Sequence, residues 1–113
     1  KPETNVSKIA LPMQSEIRYI VLSEIMRCEA DNTYTFFFLA NNEKLLVSKS
    51  LKEYADLLKP NGFLRTHQSH LVNPKFVKSW LKEDGGVLLL TSGEKIPVSK
   101  PNKEMVKRAL QAL

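Results

Sequence analysis

The sequence predicts a mostly β domain carrying two short helices, and three observations predict it. Short apolar runs are separated by turn signals about every eight to twelve residues, the spacing of a strand-built domain. Helical spacing appears in two stretches, Leu51 to Leu58 and Met105 to Leu113. The length of 113 residues, with 42% hydrophobic and 26% charged residues, is that of one globular unit; it excludes intrinsic disorder, a fibrous repeat and a multi-domain machine.

Residues 1–7 are polar, contain Pro2 and show no period, so they are expected to be a linker or a frayed end, leaving 8–113 as the domain. Ile9, Leu11 and Met13 alternate with other residues, and Pro12 confines that run to a sheet edge. Ile17 to Leu22 and Ile25 to Glu29 follow as strands, closed by the turn cluster Asp31-Asn32-Thr33. Tyr34 to Leu39 is aromatic-rich and should be a central strand. Phe36, Phe37 and Phe38 are consecutive, so at least one must face the second side of its sheet; they read mainly as core, with an outward Phe37 as the alternative. Asn41-Asn42 reverses the chain into Lys44-Leu45-Leu46-Val47.

Leu51, Tyr54, Ala55 and Leu58 stand at i, i+3, i+4 and i+7, one apolar helix face. Ser50 and Glu53 supply a capping box before it, and Pro60-Asn61-Gly62 stops it. Phe63 to Asn73 is a polar-rich stretch set between apolar residues. Phe76 to Leu81 and Val87 to Leu90 read as strands joined over Asp84-Gly85-Gly86, and Ser92-Gly93 turns the chain into Lys95 to Val98. Met105, Val106, Ala109, Leu110 and Leu113 form a second helical stripe, entered at Ser99 or Lys100 before Pro101.

The net charge of +5 is unevenly distributed. Residues 1–43 carry four Lys/Arg against six acids; residues 44–113 carry thirteen against six. A domain with one basic side has the electrostatic footprint of a polyanion binder, although a solvated basic surface has the same composition. The lone Cys28 forbids an internal disulfide and points to a reducing, cytoplasmic compartment. No apolar run is long enough to span a bilayer and no secretory signal is visible, so no membrane partner is expected. The chain opens on Lys1 with no methionine before Met13, and is expected to be a piece of a longer protein.

Catalytic chemistry finds little material. A zinc site wants four ligands, whereas His67, His70 and Cys28 are three; at i and i+3 of a strand the two histidines are expected to face opposite sides and not converge on one ion. No phosphate-cradling glycine loop is present. No metal, cofactor or enzymatic activity is expected. Polar clusters are more informative. Arg65, Thr66, His67, Gln68, Ser69, His70 and Asn73 offer hydroxyls, an amide and a guanidinium suited to phosphate oxygens and base edges, although His67 and Asn73 would equally satisfy buried backbone groups. Asp31 to Thr35 is a second cluster, and Ser99 to Lys103, at a helix mouth, a third. These lie on separate loops that a compact sheet can bring to one edge.

Four ordered blocks carry a resemblance. Phe63 to Asn73 resembles the signature F-x-R-x-H-[RK]-S-[YF]-L-V-N of the LytTR DNA-binding domain family. Ser23 to Thr35 is similar to that family's D-x-I-x-x-x-E-A-x-x-x-Y-T stretch, Ser48 to Glu53 to its R-x-S-L-K-E helix start, and Gly93 to Lys100 to its G-x-x-I-P-V-S-R end. The resemblance implies an elongated arrangement of three small antiparallel sheets and a role as output domain of a bacterial two-component response regulator. Reading would be through loops, on paired direct repeats bound by two copies, with a receiver domain upstream. Its contact loops map onto Asn32, Thr33, Tyr34 and Thr35, with Gln68 and Lys100, as base readers; Arg65, His67, Ser69, Lys75, Ser99, Asn102 and Lys103 are expected on phosphates. Three positions depart from the pattern: Gln68 replaces Arg or Lys, His70 replaces an aromatic residue, and Lys100 replaces Arg. A protein–protein interaction module and an RNA-binding domain with a basic face are the alternative readings.

Overall fold

The computed structural model describes residues 8–112; the expected linker of residues 1–7, and Leu113 on the second helical stripe, lie outside the described residues. The chain runs through β1 (Lys8–Pro12), β2 (Ile17–Val21), β3 (Ile25–Asp31), β4 (Tyr34–Leu39) and β5 (Lys44–Val47). After α1 (Leu51–Leu58) come β6 (Leu64–His67), β7 (His70–Val72), β8 (Val77–Leu81), β9 (Val87–Leu90), β10 (Lys95–Pro97) and α2 (Lys103–Gln111). The strands form three antiparallel sheets: β1-β2, a five-stranded sheet in the order β5-β4-β3-β7-β6, and β10-β9-β8. The protein measures 41 × 38 × 24 Å, so the expected elongation takes the form of flattening, with two nearly equal long dimensions.

Register explains the two cores. Cys28 is level with Phe37 on one side and Leu71 on the other, and Phe37 is level with Leu45. That row faces α1 and the β1-β2 hairpin, where Ile9, Leu11, Ile20, Leu51, Tyr54, Ala55 and Leu58 close a first core. Phe37 meets the Tyr54 ring edge-on at 4.8 Å. Successive residues of a strand point to opposite faces, so Val72, next to Leu71, joins Met26 and Leu64 in a second core with Leu88, Leu90, Ile96, Val98 and Val106. Deep in the first core, burial pushes the Cys28 thiol well above its usual range, making it an inert hydrophobe rather than a nucleophile.

The register decides the side of Phe37 in favour of the core and against the outward alternative. Phe37 is wholly buried, whereas Phe36 and Phe38 occupy the outer face. There they meet edge-on at 6.3 Å, with Lys44 over Phe36 and the Arg27 guanidinium 3.8 Å above Phe38. The local elements follow the sequence closely. Ser50 and Glu53 form the capping box of α1, and Gly62 ends its 3-10 extension in the left-handed region at φ 96°.

Candidate nucleic-acid interface

Three turns meet at one end of the five-stranded sheet. The β3-β4 turn carries Asn32 and Thr33; Asn32 takes φ 57°, a left-handed conformation that asparagine tolerates. The β6-β7 turn carries Gln68 and Ser69. Because β3 and β7 are antiparallel, with Glu29 level with His70, both turns leave the sheet at the same end. Ala30 N–H donates to Ser69 C=O at 2.9 Å and ties them together. The third segment follows β10: Ser99 N–H donates to Thr66 C=O at 2.8 Å, and residues Lys100–Asn102 form a 3-10 turn leading into α2. Arg65, His67, Gln68, Ser99, Pro101 and Asn102 line an open depression of about 370 Å³ between the second and third segments.

Exposure sorts the expected base readers. Asn32, Thr33, Gln68 and Lys100 are exposed, and Tyr34 is 46% exposed. Thr35 is not available: it is fully buried, and its hydroxyl donates to Lys49 C=O at 2.7 Å. Strand parity is the reason, since Thr35 shares the inward face with Phe37 and Val47.

The expected phosphate contacts also divide. Ser69 and Ser99 are half-buried at this end, and the Asn102 amide donates to Ser99 Oγ at 2.8 Å, so Asn102 and Ser99 shape the third turn together. Lys103 opens α2 with its ammonium against Gly85 of the β8-β9 turn. Lys75 is corrected in position: it sits in the turn after β7, beside Asn73, Phe63, Ser23 and Asn61, at the opposite end of the β6-β7 hairpin from Gln68. Asn73 is structural, buried between Ile25 C=O and Lys75 N–H, to which it donates and from which it accepts.

Arg65 turns onto its own hairpin. Its Nε donates to His67 C=O at 3.0 Å and its Nη2 to Gln68 C=O at 2.6 Å, an arrangement not anticipated for an expected phosphate contact. His67 accepts from Ser69 N–H through Nδ1 at 3.1 Å, the backbone-satisfying alternative for that residue. The placing of His67 and His70 on opposite sides of one strand is likewise corrected. They are partners across a two-residue hairpin, with rings 5.6 Å apart. His70 Nδ1 is buried without a partner, and burial holds this imidazole below the usual histidine range, with Glu29 opposing and Arg27 and His67 reinforcing the shift. Among the described residues, no group of three His, Cys, Asp or Glu is placed to hold a metal.

Sequence reasoning passed over Lys82 and Arg27. Leu81 and Pro97 are both level with Val87, so Lys82 leaves its sheet at the same end as Ser99. Arg27 is buried, bonded to Glu29 and Glu94. Burial alone would lower its pKa, but the carboxylates outweigh that and hold it above its ordinary value. Its place between Met26 and Cys28 in an apolar run was the available signal.

A family model described as the LytTr DNA-binding domain matches residues 15–111. Among solved structures, a LytTr DNA-binding domain assigned to a methyl-accepting/DNA response regulator from Bacillus cereus has a similar fold. The two chains are 24% identical with a TM-score of 0.79, over 94% of this chain and 98% of that one. No curated protein matches the sequence.

Proposed function

Because the chain belongs to the LytTr DNA-binding domain family, we propose that it binds double-stranded DNA sequence-specifically as the output domain of a bacterial response regulator, reading bases through turns. Asn32, Thr33, Tyr34, Gln68 and Lys100 read base edges. Ser69, Ser99, Lys82 and Lys103 hold phosphates around them. Gln68 presents a bidentate amide suited to adenine, and Lys100 a point charge suited to guanine O6 and N7 without the forked geometry of Arg.

The observation that supports this most directly is the meeting of the two hairpin turns and the Lys100–Asn102 turn at one exposed end. Polar side chains there stand on short turns tied to the sheet, and lysines flank them. A second copy on a direct repeat, a receiver domain upstream and a cytoplasmic location belong to the same reading.

Stacking on single-stranded RNA is disfavoured by the outer face. Phe36 and Phe38 lie under Lys44 and Arg27, in a groove that Glu29, Glu43 and Glu94 also line. With these cations already over the rings, no open aromatic face is offered there for a base to stack on. Selection of bound sites from random duplex DNA tests the proposal. An enriched motif, bound more weakly as salt rises, is expected; no enrichment, or preference for single-stranded RNA, would overturn it.

A further inference from the structure

The β6-β7 connection has two residues, Gln68 and Ser69, between the paired His67 and His70. Two-residue hairpins ordinarily use left-handed residues, because that backbone matches the twist of the flanking strands. Asn32 and Asn42 take that conformation here, whereas Gln68 and Ser69 do not. The register instead shifts between Arg65 and His67, placing an extra residue, Thr66, on the β6 side.

Side chains complete what the backbone does not. Arg65 donates to the carbonyls of His67 and Gln68, and His67 Nδ1 accepts from Ser69 N–H. Every one of these bonds ends on the backbone of the turn that carries Gln68. A guanidinium offers two donors in a fixed fork, and here the fork spans consecutive carbonyls.

We propose that Arg65 is a positioning residue, a clamp that sets the conformation of the Gln68-Ser69 turn and so the direction in which Gln68 is presented to a base. The consequence for DNA rests on the reading given under Proposed function; the clamp itself does not. Lysine at position 65 keeps the charge but lacks the rigid planar fork that holds two carbonyls in one geometry, which separates a clamp from a phosphate contact.

The test compares Arg65→Lys and Arg65→Gln with the parent chain. In the free protein, amide hydrogen exchange at Ser69 and His70 is measured by NMR, with melting temperature as the check on folding. Both variants should melt within a few degrees of the parent and exchange faster at these amides. On DNA, Arg65→Lys should bind random duplex within about twofold of the parent with an unchanged salt slope. Its ratio of selected-site to random-site affinity should fall about tenfold, the size of one lost base contact. Unchanged exchange at Ser69 and His70 would overturn the clamp, whatever happens on DNA. Changed exchange with the affinity ratio retained by Arg65→Lys would overturn its role in presenting Gln68. Failure of the parent chain to bind any duplex would instead sink the DNA reading, with the clamp still decided by exchange.

Discussion

Arg27 on β3 and Glu94 in the β9-β10 turn form a two-pronged ion pair, Nε to Oε1 at 3.2 Å and Nη2 to Oε2 at 2.9 Å, across 67 residues of sequence. Arg27 is buried and a third donor meets Glu29 at 2.7 Å, so the five-stranded and three-stranded sheets are pinned through one cation.

Removing one partner of a fully buried pair costs about 3–5 kcal/mol. Glu94 is partly open to water, so Glu94→Ala should cost about 2 kcal/mol, read as a lower urea midpoint at pH 7. The hydrogen bond from Arg27 holds the Glu94 carboxyl below its usual range. A depressed carboxylate stabilises the fold above its unfolded pKa, about 4.3, and loses that contribution as pH falls through the lower folded value. Parent and Glu94→Ala midpoints should therefore converge towards pH 3; a constant gap would show that the charge is not responsible.

Base readers and phosphate holders separate by specificity. Gln68→Ala should lose about 1–3 kcal/mol on the selected site and little on random duplex, whereas Lys103→Ala should weaken all sequences alike. Lys75→Ala, at the far end of the hairpin, should leave both affinities and the salt slope unchanged. If Lys82 and Lys103 each neutralise one phosphate, log K should fall against log salt with a slope of roughly −1.8. Fluorescence anisotropy titrations at four salt concentrations measure all of these.

His70→Phe should stabilise the domain. The substitution removes a buried Nδ1 that has no partner, worth about 1 kcal/mol. It also removes a base held neutral by burial. A base with a lowered folded pKa stabilises the native state above its unfolded value, about 6.5, and that contribution is lost as pH falls towards the folded value. The variant's advantage should consequently grow between pH 7.5 and 5.5 in thermal melts. Parallel melting curves over that interval would contradict the assignment.

Gly86 sits at φ 124° with the Trp80 ring packed where a Cβ would stand. Gly86→Ala meets both a disfavoured backbone conformation and a steric clash, and should cost about 2–3 kcal/mol. Trp80 is the single tryptophan, so its emission follows the melting transition directly; a variant as stable as the parent would refute this account.

How much was legible varied with how local the cause was. The α1 face and its Ser50-Glu53 cap are set within one helix length, and both lie where the pattern places them. Which of Phe36, Phe37 and Phe38 faces the core could not be read from the sequence, because an unbroken apolar run carries no period-two signal; only the register buries Phe37. Thr35 hid for the same reason, its polarity suggesting exposure while its parity buries it. The histidine pair misled because spacing of three on one strand and spacing of three around a tight hairpin look identical in sequence. Arg65 is subtler still. Backbone carbonyls and phosphate oxygens are both acceptors, and residue identity does not say which a guanidinium meets. The meeting of the turns depends on β3 pairing with β7, an association between segments some forty residues apart.

The Ala30–Ser69 hydrogen bond ties the β6-β7 turn to the end of β3, just before the β3-β4 turn, before any partner arrives. If the two turns read bases as proposed, they behave as a gauge, with the distance between the positions they inspect built into the fold. Inserting one base pair between those positions displaces the second by about 3.4 Å and rotates it by roughly a tenth of a turn. Such an insertion should weaken binding as severely as altering the bases themselves, because the Ala30–Ser69 bond resists a change in the spacing of the two turns.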